Sequence, residues 1–201
     1  MLDRSTRHQY GFTLPELLVV MVVIAVVITT MFTFLTAGLK RYLGLQQQAS
    51  AFGTLASETQ RIATVLRGLT DISSVGSNDL TVYAYFYPSD TYVSLVRYYK
   101  NTAKTQLLAD VTPMTANPPI GSPLTAQKKT YVIIPNLYSA TSTAVFTYLD
   151  SSNSPLTLPV GDEHTIKGIQ ITLVSPADPV VSASTTTMTL DVSLRNRKTN
   201  L

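Results

Sequence analysis

The sequence predicts an α+β chain. One long N-terminal helix, apolar in its first half and amphipathic in its second, packs under a mainly antiparallel β-sheet domain. Three observations lead there. Leu17 to Leu39 runs for 23 residues without a charge. Between Leu45 and Leu69 apolar residues recur at helical spacing among polar ones. From Leu80 onward the period changes to two, the alternation of strands with one buried face.

A chain of 201 residues suits one domain plus an extension. Only 13% of it is charged, about half the usual 25%, and with 45% hydrophobic residues bulk disorder is excluded. The absence of Cys rules out disulfide scaffolds, thiolate zinc sites and cysteine nucleophiles. The net charge of +3 sits entirely on residues 1–68, and residues 69–201 are neutral. No basic face large enough to argue for nucleic acid stands out.

As a helix, the charge-free run would span about 35 Å, against a hydrocarbon core of about 30 Å. It therefore reads as a membrane span. A buried core helix is the bland alternative, but a helix apolar all round is rarely hidden in a domain this small. A cleavable secretory signal would have a shorter apolar region and small residues at a cut site, whereas this run leads into Lys40-Arg41. Arg4 and Arg7 precede the span and two basic residues follow it, so charge alone does not orient it.

Just before the span lies Gly11-Phe12-Thr13-Leu14-Pro15-Glu16. Thr13 and Glu16 have capping-box spacing, with Thr13 as N-cap. Pro15 falls in the first turn, where its missing N–H costs nothing. Helix capping explains Thr13 and Pro15 but not all of Glu16, the only charge between Phe12 and Leu39. A carboxylate in the bilayer costs about 2.5–3.5 kcal/mol at mid-depth and less near the interface. No basic residue lies within a helical turn of it, so its partner has to come from another chain or from a charge created later.

These residues, with the polar leader before them, resemble the processing site of type IV prepilins and type II secretion pseudopilins: a short charged leader ending in Gly, then Phe-Thr, Glu and about twenty apolar residues. The resemblance implies the pilin fold. It implies a leader at residues 1–11, a transmembrane and filament-core helix at 12–39, an amphipathic helix at 40–68 and a β-rich globular domain at 69–201. It further implies that a prepilin peptidase cuts between Gly11 and Phe12 and N-methylates Phe12. The new ammonium of Phe12 would then pair with Glu16 of a neighbouring subunit and set the assembly register. Pro15 departs from the family, which more often has an aliphatic residue there.

Beyond the span, Leu45, Phe52 and Leu66 share one heptad position, Ala49, Ala56 and Ala63 another, with Leu55, Ile62 and Leu69 alongside. The small Ala positions suit packing under a sheet better than a coiled coil. The helix is expected to run from Leu14 to Arg67, with Gly68 ending it. No Pro occurs between Glu16 and Tyr87. Thr29, Thr30, Thr33, Thr36 and Gly38 are the weaker helix-bending residues.

Leu80–Tyr87 and Tyr92–Tyr99 alternate around Pro88-Ser89-Asp90-Thr91 and predict a hairpin. Further strands are expected at Thr105–Val111, Tyr131–Leu137, Ala144–Asp150, Ile166–Val174 and Thr186–Asn196, with a Pro-rich loop from Pro113 to Pro123. Most of the eleven tyrosines fall on these strands. Cross-strand packing is their ordinary role, with sugar or surface adhesion the alternative. Phe146–Thr157, Ile166–Val174 and Val192–Arg197 resemble, in order, segments of J-type minor pseudopilins and PilW-type minor pilins, which implies a subunit near a filament tip.

No hydrolase elbow, zinc-protease helix or phosphate loop is present. His8 and His164 stand apart, so no cofactor is expected. Asp150 with Asn153, or Asp162 with Glu163, are weak calcium candidates, more simply read as turns. Lys128-Lys129 and Arg195, Arg197, Lys198 could touch DNA phosphates, with a solvated tail the plainer reading. The expected partners are other pilin or pseudopilin subunits, the prepilin peptidase, an inner-membrane assembly platform and membrane lipid. The expected function is that of a filament subunit, held in the inner membrane with its N-terminus cytoplasmic before assembly and lying outside that membrane afterwards. A membrane-tethered adhesin that does not polymerise, or the major pilin itself, are the competing readings.

Overall fold

The computed structural model describes residues 11, 13–139, 143–176 and 185–195. A single helix, α1 (Leu14–Arg67), runs for 54 residues. Eight strands follow: β1 (Asp71–Val75), β2 (Asp79–Ala84), β3 (Ser94–Lys100), β4 (Leu107–Pro113), β5 (Lys129–Ile134), β6 (Phe146–Leu149), β7 (Gly168–Pro176) and β8 (Thr185–Ser193). The chain is α+β, as its periodicities predict.

Contacts divide it into two units, residues 1–46 and 47–201. In the first, every described residue from Thr13 to Leu43 is exposed. Among the described residues, none buries the apolar side chains of this stretch of α1.

In the second unit, the C-terminal part of the expected stripe becomes a packing face, whereas Ala49 and Phe52 stay exposed, as does Leu45 in the first unit. Leu55, Ile62, Ala63 and Leu66 are buried, as is Leu69 just beyond the helix. They join one core with Leu80 and Val82 of β2, Val96 and Tyr98 of β3, Leu107 and Ala109 of β4, and Phe146, Tyr148, Ile169 and Ile171 beyond. The helix stops as expected, but not by a left-handed glycine, since no described glycine has positive φ. Instead the Gly68 and Leu69 amides donate to the carbonyls of Val65 and Leu66, a tightened last turn.

The strands form two antiparallel sheets, not one. A five-stranded meander has the order β1-β2-β3-β4-β5, and a three-stranded sheet the order β6-β7-β8. The three segments resembling J-type and PilW-type proteins contribute in turn to the three strands of the second sheet. The expected hairpin is present, with Leu80 opposite Tyr98 and Val82 opposite Val96. Its ladder ends at Ala84, so Tyr85 to Tyr87 leave the sheet for the turn. There Asp90 Oδ2 accepts from the Tyr87 amide at 3.1 Å.

Two further expectations are corrected. β1 was not anticipated, because Asp-Ile-Ser-Ser-Val buries only Ile72 and its pairing shifts register between Ile72 and Ser74. β5 lies at Lys129–Ile134, not Tyr131–Leu137. Pro135 ends it, as Pro lacks the N–H a ladder requires.

What ties the two sheets is specific. The Tyr148 hydroxyl donates to the Gly76 carbonyl at 2.8 Å and accepts from the Gly76 amide at 3.1 Å. The amides of Val145 and Phe146 donate to the Ser77 carbonyl at 2.8 and 3.1 Å. Tyr98 and Phe146 add a tilted ring contact at 6.4 Å. The β1–β2 turn thus anchors the start of β6. Burial pushes the phenols of Tyr98 and Tyr148 well above the ordinary tyrosine range.

Candidate functional site

The N-terminal segment is built by the start of α1. The Thr13 carbonyl accepts from the amides of Glu16 and Leu17, each at 3.1 Å, so the chain turns helical immediately after Thr13. The Thr13 hydroxyl donates to Glu16 Oε2 at 3.4 Å, a long contact between the two side chains of the predicted capping box. The usual box exchanges bonds with backbone amides. Pro15 occupies the second helical position, where no carbonyl waits for an amide.

Gly11 is exposed, and a methyl group built on it would meet nothing within 4 Å. The backbone around a cut after Gly11 is thus uncrowded by the described residues. Phe12 lies outside the described residues. Glu16 is exposed, and none of the ion pairs among the described residues includes it.

Past Glu16, polar groups of the span are satisfied within the helix. Thr29 donates to Ala25 O at 2.7 Å, Thr33 to Thr29 O at 2.7 Å and Thr36 to Phe32 O at 2.9 Å, and Thr30 bonds Val26 O. A hydroxyl bonded to its own helix can enter hydrocarbon without an unpaired donor. By length and composition α1 can cross a membrane. Its apolar side chains, such as Leu18 at 58% and Phe34 at 84% exposure, await an apolar environment or other helices.

The remaining sequence candidates go to structural duties. Asp150 Oδ1 accepts from the amides of Ser152 and Ser154 at 2.7 and 2.9 Å, and Asn153 takes a left-handed φ of 60°. Together they make the turn after β6. Asp162 Oδ1 likewise accepts from the His164 amide at 2.8 Å. Among the described residues, no three metal-ligating side chains converge.

Lys128 is engaged on the outer face of the five-stranded sheet, donating to Asp110 Oδ2 at 3.0 Å. Asp110 Oδ1 also accepts from Thr130 at 2.6 Å and Tyr99 at 3.2 Å. Burial pushes this carboxyl up, but those hydrogen bonds and the Lys128 charge outweigh it and hold it below the usual carboxylate range. His8, Arg197 and Lys198 lie outside the described residues.

Sequence reasoning missed a cleft of about 500 Å³ lined by Tyr87, Tyr92 and Tyr131. Its residues come from the β2–β3 turn, the end of β4 and β5. Only the partnering of distant strands brings them together, and the tyrosines had been assigned to strand packing.

Comparison with known proteins accords with the N-terminal geometry. Residues 6–32 match the family model described as the prokaryotic N-terminal methylation motif. No curated protein matches the chain significantly. The match covers the end of the expected leader from residue 6, Gly11, Phe12, Glu16 and most of the apolar run, and it supports a type IV prepilin-like N-terminus. Such a motif implies processing by a prepilin peptidase and assembly with other pilin-type subunits, a structural role. With the long helix and antiparallel sheets, the architecture is pilin-like.

Proposed function

We propose that this chain is a minor pilin or pseudopilin, a structural subunit of a type IV pilus or type II secretion-like filament. One observation carries the reading. A carboxylate, Glu16, stands at the head of a 54-residue helix whose apolar half is exposed among the described residues. A carboxylate at a membrane edge needs a cation. Cleavage after Gly11 makes one, the α-ammonium of Phe12, and N-methylation preserves its charge.

The apolar half of α1 stores the subunit in the inner membrane, N-terminus cytoplasmic. During assembly on an inner-membrane platform it exchanges lipid for neighbouring helices. Van der Waals packing drives that exchange, because lipid and side chains are equally apolar. The ion pair between Glu16 and a neighbour's Phe12 adds register. The minor role is supported by the three segments resembling J-type and PilW-type proteins, which contribute in turn to the three strands of one sheet.

The test has two arms. Mass spectrometry of the assembled protein is expected to find N-methyl-Phe12 as its first residue. Gly11→Ala and Glu16→Val, made separately, are expected to abolish processing and incorporation respectively. Intact Met1 on filament-borne protein, or unchanged filaments in both variants, would instead leave a tethered protein that does not polymerise.

A further inference from the structure

We infer that the tyrosine cleft is a binding site for a neutral carbohydrate, a mono- or disaccharide unit of a larger glycan. The inference concerns residues 87–131 and is independent of filament assembly. The cleft encloses about 500 Å³, inside the range of small-ligand sites. Its floor is apolar, from Val111 and Met114. Tyr87, Tyr92 and Tyr131 supply its aromatic lining, and its polar lining includes Asp90, Gln127 and Lys129.

That composition is selective. A sugar ring has a C–H face that packs on an aromatic ring and an equatorial edge of hydroxyls that both donate and accept. Accessible tyrosine rings answer the first need. A carboxylate, an amide and an ammonium answer the second. One acid and one base leave the site without net charge, which argues against an anionic or cationic ligand. A purely apolar ligand would desolvate polar side chains without offering them a partner.

The platform is also held in place before any ligand arrives. Tyr131 stacks on Phe86 at 5.2 Å and 29°, and Tyr87 meets Tyr131 edge-on at 6.3 Å. The Arg61 guanidinium of α1 sits 5.1 Å from the centre of the Phe86 ring. The rings of Tyr87 and Tyr131 are therefore braced from the core, and little side-chain freedom is lost on binding. Tyr87 and Tyr92, at 40% and 44% exposure, offer ring surface to a ligand.

The experiment uses the full chain in a detergent without a sugar headgroup. Lactose, maltose, cellobiose and diacetylchitobiose are each titrated, with saturation-transfer NMR and tyrosine emission as readouts. Emission is clean because the chain has no Trp. At least one disaccharide is expected to saturate in the millimolar range or tighter, with little dependence on salt. Tyr92→Ala is expected to weaken it at least about tenfold and Tyr92→Phe to preserve it. Gln127→Ala, at an exposed position, supplies a second weakened variant should Tyr92→Ala misfold. No saturable binding by any of the four overturns the inference. So does binding indifferent to both Tyr92→Ala and Gln127→Ala, or binding of a proline-rich peptide where the sugars fail. Loss of filaments without loss of sugar binding would affect only the assembly reading.

Discussion

Residues 14–46 and residues 47–67 belong to one unbroken helix and treat their apolar side chains in opposite ways. In the first stretch Val23, Ile24 and Phe32 are each more than half exposed, while in the second Ile62 and Leu66 are essentially inaccessible. The helical backbone does not change between them. The partners do. The second stretch has two sheets of its own chain to pack on, whereas the first has a composition suited to lipid or to other helices. A helix apolar all round requires such surroundings, and a helix with one stripe requires a core.

The comparison breaks first at its polar end. Glu16→Val leaves the globular unit intact and is expected to reduce filament incorporation to background, measured by immunoblotting of sheared surface fractions. Normal incorporation would mean that Glu16 has no assembly role. The next effect separates the two stretches directly. Leu66→Ala opens a cavity in the core and is expected to cost about 2–5 kcal/mol, while Val23→Ala is expected to leave thermal unfolding of the globular unit unchanged in detergent. Equal shifts for the two variants would contradict the division.

Tyr148→Phe sharpens the account of the second unit. It deletes the hydroxyl joining β6 to Gly76 and leaves the Gly76 amide and carbonyl short of a partner, so about 1–3 kcal/mol is expected. Faster hydrogen exchange at Gly76 and Ser77 is the accompanying signature. The smallest effect is electrostatic. Asp110 is held below its ordinary pKa, so its contribution is present above the unfolded value of about 3.9 and lost as pH falls through the folded value. Asp110→Asn is expected to flatten the acid limb of the stability profile below about pH 4, checked by urea unfolding across pH. An unchanged acid limb would assign that dependence to other carboxylates.

Much of this was legible in advance, and unevenly. The bounds of α1 follow from Thr13, Pro15 and Glu16 at one end and Gly68 at the other, all local signals. The central strands were legible from alternation over Leu80–Ala84, Leu107–Val111 and Gly168–Val174. Misreadings fell where alternation is silent. Asp71–Val75 buries one side chain, and the start of β5 at Lys129-Thr130 is polar because it lies on an edge. Of the proposed assembly site, Gly11, Thr13, Pro15 and Glu16 were all visible as sequence, because they lie within a few residues of one another.

By itself, the sequence determined whatever depends on neighbours along the chain: a helix of membrane length, its cap, the carboxylate at its head and the change of period at Leu80. Tertiary structure alone decided which strands share a sheet, that Tyr148 ties the two sheets through Gly76, that Asp110 gathers Tyr99, Lys128 and Thr130, and that three tyrosines line one cleft. Helical contacts recur every three or four residues and so leave a pattern in the sequence. Strand pairing joins residues tens of positions apart, and an alternating pattern states which face is buried without naming the strand that lies beside it.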